Sequence, residues 1–178
     1  MPRPRDAERR EKLVNALVEA YARDGLGARS MRELASELGT SHRMLIHHFG
    51  SREGMLVAVV EAIEQRQGAV LANLEGSPSD VAERFWATLR DPALRPFERL
   101  FFECYARGAN GEAPFDRLLP GAVTSWLDAD ATDDATLARL GLAVIRGLLL
   151  DLVATGDERS TDEAFRRYLQ LVRAEQPT

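Results

Sequence analysis

Apolar residues recur along this chain at the spacing of one helix face, and no stretch alternates strictly in the way that marks a half-buried strand. Leu13, Ala16, Leu17, Ala20 and Tyr21 make the first stripe, which ends near Asp24-Gly25. Ser30 is placed to cap a short second helix with Met31, Leu34, Ala35 and Leu38 on its apolar side, and Gly39 ends it. Thr40-Ser41 can cap a third helix running to about His48. Phe49-Gly50-Ser51 breaks it, and Ser51 caps a long fourth helix whose stripe (Leu56, Val59, Ile63, Val70, Leu74) continues to Gly76.

The start signals then repeat. Ser77-Pro78-Ser79-Asp80 offers a cap, a proline at the first helical position and an acid at the third. Val81, Phe85 and Leu89 follow it, and Phe97, Leu100, Phe101, Cys104 and Tyr105 form the next stripe, closed at Gly108. Residues 109–114 read as loop, and Phe115 to Asp128 as helix with a candidate interruption at Pro120-Gly121. Thr132 precedes a helix from about Asp133 to Thr155, and Ser160 with Glu163 forms a capping box for a last helix carrying Phe165, Leu169 and Val172. The expected fold is all-α with about nine helices. Its organisation is a helix-turn-helix domain over 1–50, a connecting fourth helix over 51–75, and a helical domain over 76–178.

Composition narrows the class. The chain has 178 residues, 45% of them hydrophobic and 29% charged, which suits a packed soluble protein. No apolar run is long enough to cross a membrane, and the basic start MPRPRDAERREK lacks the apolar segment of a secretory signal. The single cysteine, Cys104, excludes an internal disulfide, and a cytoplasmic location is expected. The net charge of −5 hides an asymmetry. Residues 1–60 hold ten Lys+Arg against eight Asp+Glu, whereas the remainder is strongly acidic. Phosphate binding depends on the local field, so the acidic remainder does not exclude a nucleic-acid partner.

All three histidines, His42, His47 and His48, fall in TSHRMLIHHFGSREGM, residues 40–55. Two short helices joined at Gly39-Thr40-Ser41 make a helix-turn-helix candidate. In its second helix Leu45 and Phe49 share one face, suited to packing on Leu34, Leu38 and the first helix. His42, Arg43, Ile46 and His47 make the opposite face, which is too polar for a core. Arginine can grip guanine edges in the major groove, and apolar groups can touch a thymine methyl. The helix start at Thr40-Ser41 offers backbone N–H groups to phosphates. A metal site fits poorly: adjacent His47 and His48 diverge on a helix, His42 and His47 are five apart, and no cysteine is near. No metal or cofactor is expected. A catalytic role lacks a nucleophile or acid held beside the imidazoles.

Residues 31–56, MRELASELGTSHRMLIHHFGSREGML, resemble the signature of the tetracycline-repressor-like (TetR) family of bacterial regulators, and the resemblance extends over residues 7–65. It implies an N-terminal three-helix DNA-binding domain, a variable helical ligand-binding domain, and a dimer built from the last two long helices. It places Thr40 and Ser41 at the start of the recognition helix, and His42, Arg43 and Met44 at base edges. His47, His48 and Arg52 would meet backbone phosphates, as would Ser30 at the start of helix two. His48 equally fits a structural place at the edge of the three-helix core. The chain departs from the family pattern at Arg43, Met44 and Ile46, and Ile46 lacks the hydroxyl of the tyrosine usual there.

Trp86, Phe101, Phe102, Tyr105 and Trp126 are either plain core or the lining of a ligand cavity, with Arg146 a further candidate contact. Gly54 and Gly68 in helix four are points of give or of close packing. Helices 133–155 and 161–175 carry apolar stripes that a monomer would leave exposed, so a homodimer through them is expected. The resulting expectation is a ligand-responsive transcriptional regulator, a repressor on a palindromic double-stranded operator, responding to a small-molecule effector. A dimeric sensor or adaptor acting through a protein partner is the alternative, and an enzyme ranks last.

Overall fold

The computed structural model describes residues 4–27, 29–128 and 134–175. Among them nine α-helices and no strand appear: α1 Pro4–Asp24, α2 Met31–Glu37, α3 His42–Phe49, α4 Arg52–Ala72, α5 Pro78–Leu89, α6 Arg95–Ala109, α7 Phe115–Asp128, α8 Ala135–Thr155 and α9 Glu158–Glu175. A 3-10 turn, Pro92–Leu94, precedes α6. The all-α expectation holds.

The caps follow local chemistry. At α2, the Ser30 N–H donates to the Glu33 carboxylate (2.7 Å) and the Glu33 N–H donates to the Ser30 hydroxyl (3.3 Å). Ser77 and Asp80 repeat this reciprocal arrangement at α5. The last helix departs from expectation. It opens at Glu158 rather than at Ser160, because Asp157 accepts the Ser160 N–H at 2.9 Å and so takes the capping position. Asp134 caps α8 by accepting the N–H groups of Thr136 and Leu137, while Thr132 and Asp133 lie outside the described residues. Helix α7 continues through Pro120, and α4 stops at Ala72, short of Gly76.

The chain divides into two compact units. Unit 1 comprises residues 1–66 and 99–121, so most of α6 and the start of α7 belong with the N-terminal helices. Its core closes around Leu17, Tyr21, Leu34, Leu45, Met55 and Leu100, each no more than 2% exposed. Each buried leucine there contributes roughly 1.5–3 kcal/mol. The loop after α1 is pinned from two sides. Glu103 on α6 accepts the Leu26 N–H at 3.1 Å, and Arg52 at the start of α4 donates to the carbonyls of Arg29 (2.9 Å) and Leu26 (3.1 Å). Arg23 and Arg29 both pair with Glu37, which ties α2 to the same loop.

Unit 2 comprises residues 67–98 and 122–178. There α8 packs along α9, and α5 lies against both. Trp86, Phe165, Leu149 and Leu152 are buried.

Candidate nucleic-acid interface

Helix α3 is held from behind and left open in front. Leu45 is fully buried and Phe49 is 8% exposed, and both face the unit 1 core. Ser41 caps the helix by accepting the Met44 N–H at 3.2 Å, and Gly50, at φ +76°, ends it in a conformation that favours glycine. Gly54 packs so tightly beneath that a Cβ there would collide with the Phe49 carbonyl oxygen. It is therefore a close-packing glycine, whereas Gly68 has open space around it.

The open face carries His42, Arg43, Ile46 and His47, all exposed, with Met44 and His48 half-buried at its margins. Arg43 forms no hydrogen bond or ion pair with any described residue, while Arg23, Arg29, Arg90, Arg95 and Arg107 each have a carboxylate partner. An exposed guanidinium without an internal partner is available to an external anion or base edge. Two of the expected contacts face inward. Thr40 Oγ1 is covered and finds no hydrogen-bond partner, and its N–H donates to the Ala35 carbonyl at 2.9 Å. His48 Nε2 is likewise covered without a partner, its ring set edge-on to His47 at 5.1 Å between centroids. Burial, with His47, Arg9 and Arg10 nearby, lowers the His48 pKa below its ordinary value, against the weaker pull of Asp6. Arg52 is engaged by the two carbonyls of the α1–α2 loop.

Arg9 and Arg10, which are not among the expected contacts, lie near the end of α3, close enough to act on His48. The Arg10 guanidinium lies 5.5 Å over the Phe49 ring, which brings the basic start of α1 to the end of α3. The arginine crowding of MPRPRDAERREK was the available signal.

None of the described aromatic candidates lines the unit 2 cavity described below. Phe101 and Tyr105 belong to unit 1, their rings tilted against each other at 4.4 Å between centroids, with Phe102 edge-on to Phe101. Trp86 belongs to unit 2, stacked on Phe165 at 5.1 Å, with its indole N–H donating to Asp162 at 2.8 Å. Asp162 also takes Arg90. Arg146 is half-buried on α8, and the Trp126 side chain lies outside the described residues. A cavity of about 70 Å³ does exist in unit 2, lined by other residues: Leu71, Val81, Phe85, Ile145 and Leu169, with the hydroxyls of Ser79 and Tyr168 as its polar groups. Among the described residues, no acidic or basic side chain lines it.

Residues 13–59 match the pattern of bacterial regulatory proteins of the tetR family. The chain is 30% identical over 184 residues to the HTH-type transcriptional regulator BetI of Pseudomonas aeruginosa, covering 88% of this chain and 87% of that one. This chain belongs to the TetR family. It is a helix-turn-helix transcriptional regulator that binds DNA, which disfavours the adaptor reading without DNA binding. The fold of a TetR-family regulator also matches solved structures. A family member from Cytophaga hutchinsonii covers all of both chains with a TM-score of 0.80 at 12% identity. The multidrug binding protein EbrR, solved with imidazole, covers 96% of this chain and 93% of its own with a TM-score of 0.72 at 21% identity. As a TetR-family regulator the chain has no described helix long and apolar enough to cross a membrane.

Proposed function

We propose that the chain is a homodimeric repressor that lays α3 in the major groove of each half of a palindromic operator, in the cytoplasm. The observation that carries this is the open face of α3, where His42, Arg43 and His47 stand exposed and Arg43 has no partner. Arg43 and His42 read base edges beside Met44. Ser30, Ser41 and His47 meet phosphates, joined by Arg9 and Arg10. Thr40 and His48 border the same contact, and Arg52 supports it by fixing the start of α4. Leu140, Leu150 and Leu171 are about half-exposed on α8 and α9, which supports pairing of two copies through those helices. A two-fold dimer presents two recognition helices about one DNA turn (roughly 34–36 Å) apart.

The effector occupies the unit 2 cavity rather than the aromatic set. The lining suits a small, uncharged, mostly apolar molecule with one or two hydrogen-bonding groups for Ser79 and Tyr168. Anisotropy titration of the purified protein against its own upstream DNA tests the repressor reading, and sedimentation of the protein–DNA complex reports two chains per operator. Binding no tighter than to random duplex would overturn the proposal. Ala138→Phe, which fills the cavity, is expected to keep operator binding and abolish its release by uncharged small aromatic or aliphatic probes.

A further inference from the structure

We infer that Ile46 is a specificity-determining residue that takes the 5-methyl group of a thymine in the major groove. The inference rests on the recognition-helix reading above and adds a residue which that reading leaves unassigned. Ile46 is 37% exposed. Among the described residues, the other large apolar side chains that stand exposed, Leu140, Leu150 and Leu171, lie on α8 and α9. Among the described residues of unit 1, Ile46 is the exposed large hydrophobe.

Its surroundings restrict what it can meet. His42 lies one turn before it on the same side, and Arg43 and His47 flank it, all exposed. Protein interfaces bury many side chains a side around an apolar centre, and one isoleucine ringed by imidazoles and a guanidinium does not supply that centre. It cannot be core either, because Leu45 and Phe49 occupy the buried side of the same helix. With no hydroxyl or amide, it makes no hydrogen bond to a phosphate or a base edge. In a major groove the one apolar feature among the base edges is the thymine methyl. A β-branched side chain on a helix is held in essentially one χ1 rotamer, so its methyl groups sit at a fixed place along the groove. The interaction therefore selects A·T pairs by position, with His42 and Arg43 reading the neighbouring steps.

Burying one methyl changes affinity by about fourfold. The test uses the full-length protein and a randomised duplex library, from which the preferred sequence is selected. Each thymine of that duplex is then replaced by deoxyuridine, which removes only the 5-methyl group. One position per half-site is expected to lose about fourfold in affinity with the wild-type chain. Ile46→Ala should bind the thymine and uracil duplexes equally, and Ile46→Val should keep part of the preference. If no position responds to methyl removal, or if Ile46→Ala retains the response, the assignment to Ile46 is wrong while DNA recognition stands. If the selection yields no preferred sequence, the recognition-helix reading fails and the inference goes with it. Circular dichroism of each variant, expected to match wild type because Ile46 lies on the surface, shows that folding is not the cause.

Discussion

Arg52→Lys separates two roles of one residue. As a pure phosphate contact, Arg52 could be replaced by lysine with little consequence, since both carry a positive charge on a long stem. In the folded chain, however, its guanidinium also donates to the carbonyls of Arg29 (2.9 Å) and Leu26 (3.1 Å) at once. A lysine ammonium can reach one of these, and the other carbonyl is left half-buried. Hydrogen bonds to charged groups are worth about 1.5–3 kcal/mol each when buried, and solvent screening at this half-exposed site brings the expected loss to about 1–2 kcal/mol. For a chain of this size, a loss of that order lowers the melting temperature by about 2–8 °C. Thermal unfolding by circular dichroism, run beside anisotropy titration with operator DNA, reads both roles. The expected result is a clear drop in melting temperature with DNA affinity changed only modestly. An unaltered melting curve together with nearly unchanged DNA affinity would show that only the charge of Arg52 matters and that its loop contacts contribute nothing.

Other expectations follow from the same geometry. Arg43→Ala should weaken specific binding by about 1–3 kcal/mol and relax preference at one base step without altering stability, checked by anisotropy and thermal melting. His48 has its pKa lowered by burial and by His47, Arg9 and Arg10, so the unfolded chain binds its proton more readily. Stability is therefore full above the ordinary histidine value of 6.5 and falls as pH drops through it toward the lower folded value, and His48→Asn should flatten that slope in urea titrations between pH 5 and about 7.5. The Cys104 thiol, 2% exposed and pushed up by burial to about 12, should react with thiol reagents at about pH 8 only as the chain unfolds. Rapid native labelling would place it nearer the surface than described.

What was legible in the sequence was local. The caps at Ser30, Ser41 and Ser77 follow from a hydroxyl or carboxylate placed within three residues of a free N–H, and each was found where the pattern put it. At α9 the expected cap, Ser160, gave way to a residue three places earlier. Asp157 prevailed, accepting the Ser160 N–H, and its own carbonyl takes the hydroxyl of the buried Thr161. The open and closed faces of α3 were legible for the same reason, since four-residue spacing assigns Leu45 and Phe49 to one side. The cavity was not. Which aromatic rings face an open space depends on partners distant in sequence, as with Trp86, whose indole finds Asp162 76 residues on. The inward turn of Arg52 toward residues 26 and 29 was hidden in the same way, because nothing in the local pattern separates a guanidinium aimed at carbonyls from one aimed at phosphate.

The squeeze of Gly54 against Phe49 has a mechanical consequence. The joint has no room for a side chain, so α3 and the first turns of α4 are packed as one piece. A 21-residue helix is about 30 Å long, and a tilt of about 5° about one end sweeps the other through roughly 2–3 Å, a large fraction of a base-pair step. Any bulkier residue at position 54 would wedge that joint open and detune the angle at which the protein meets its target.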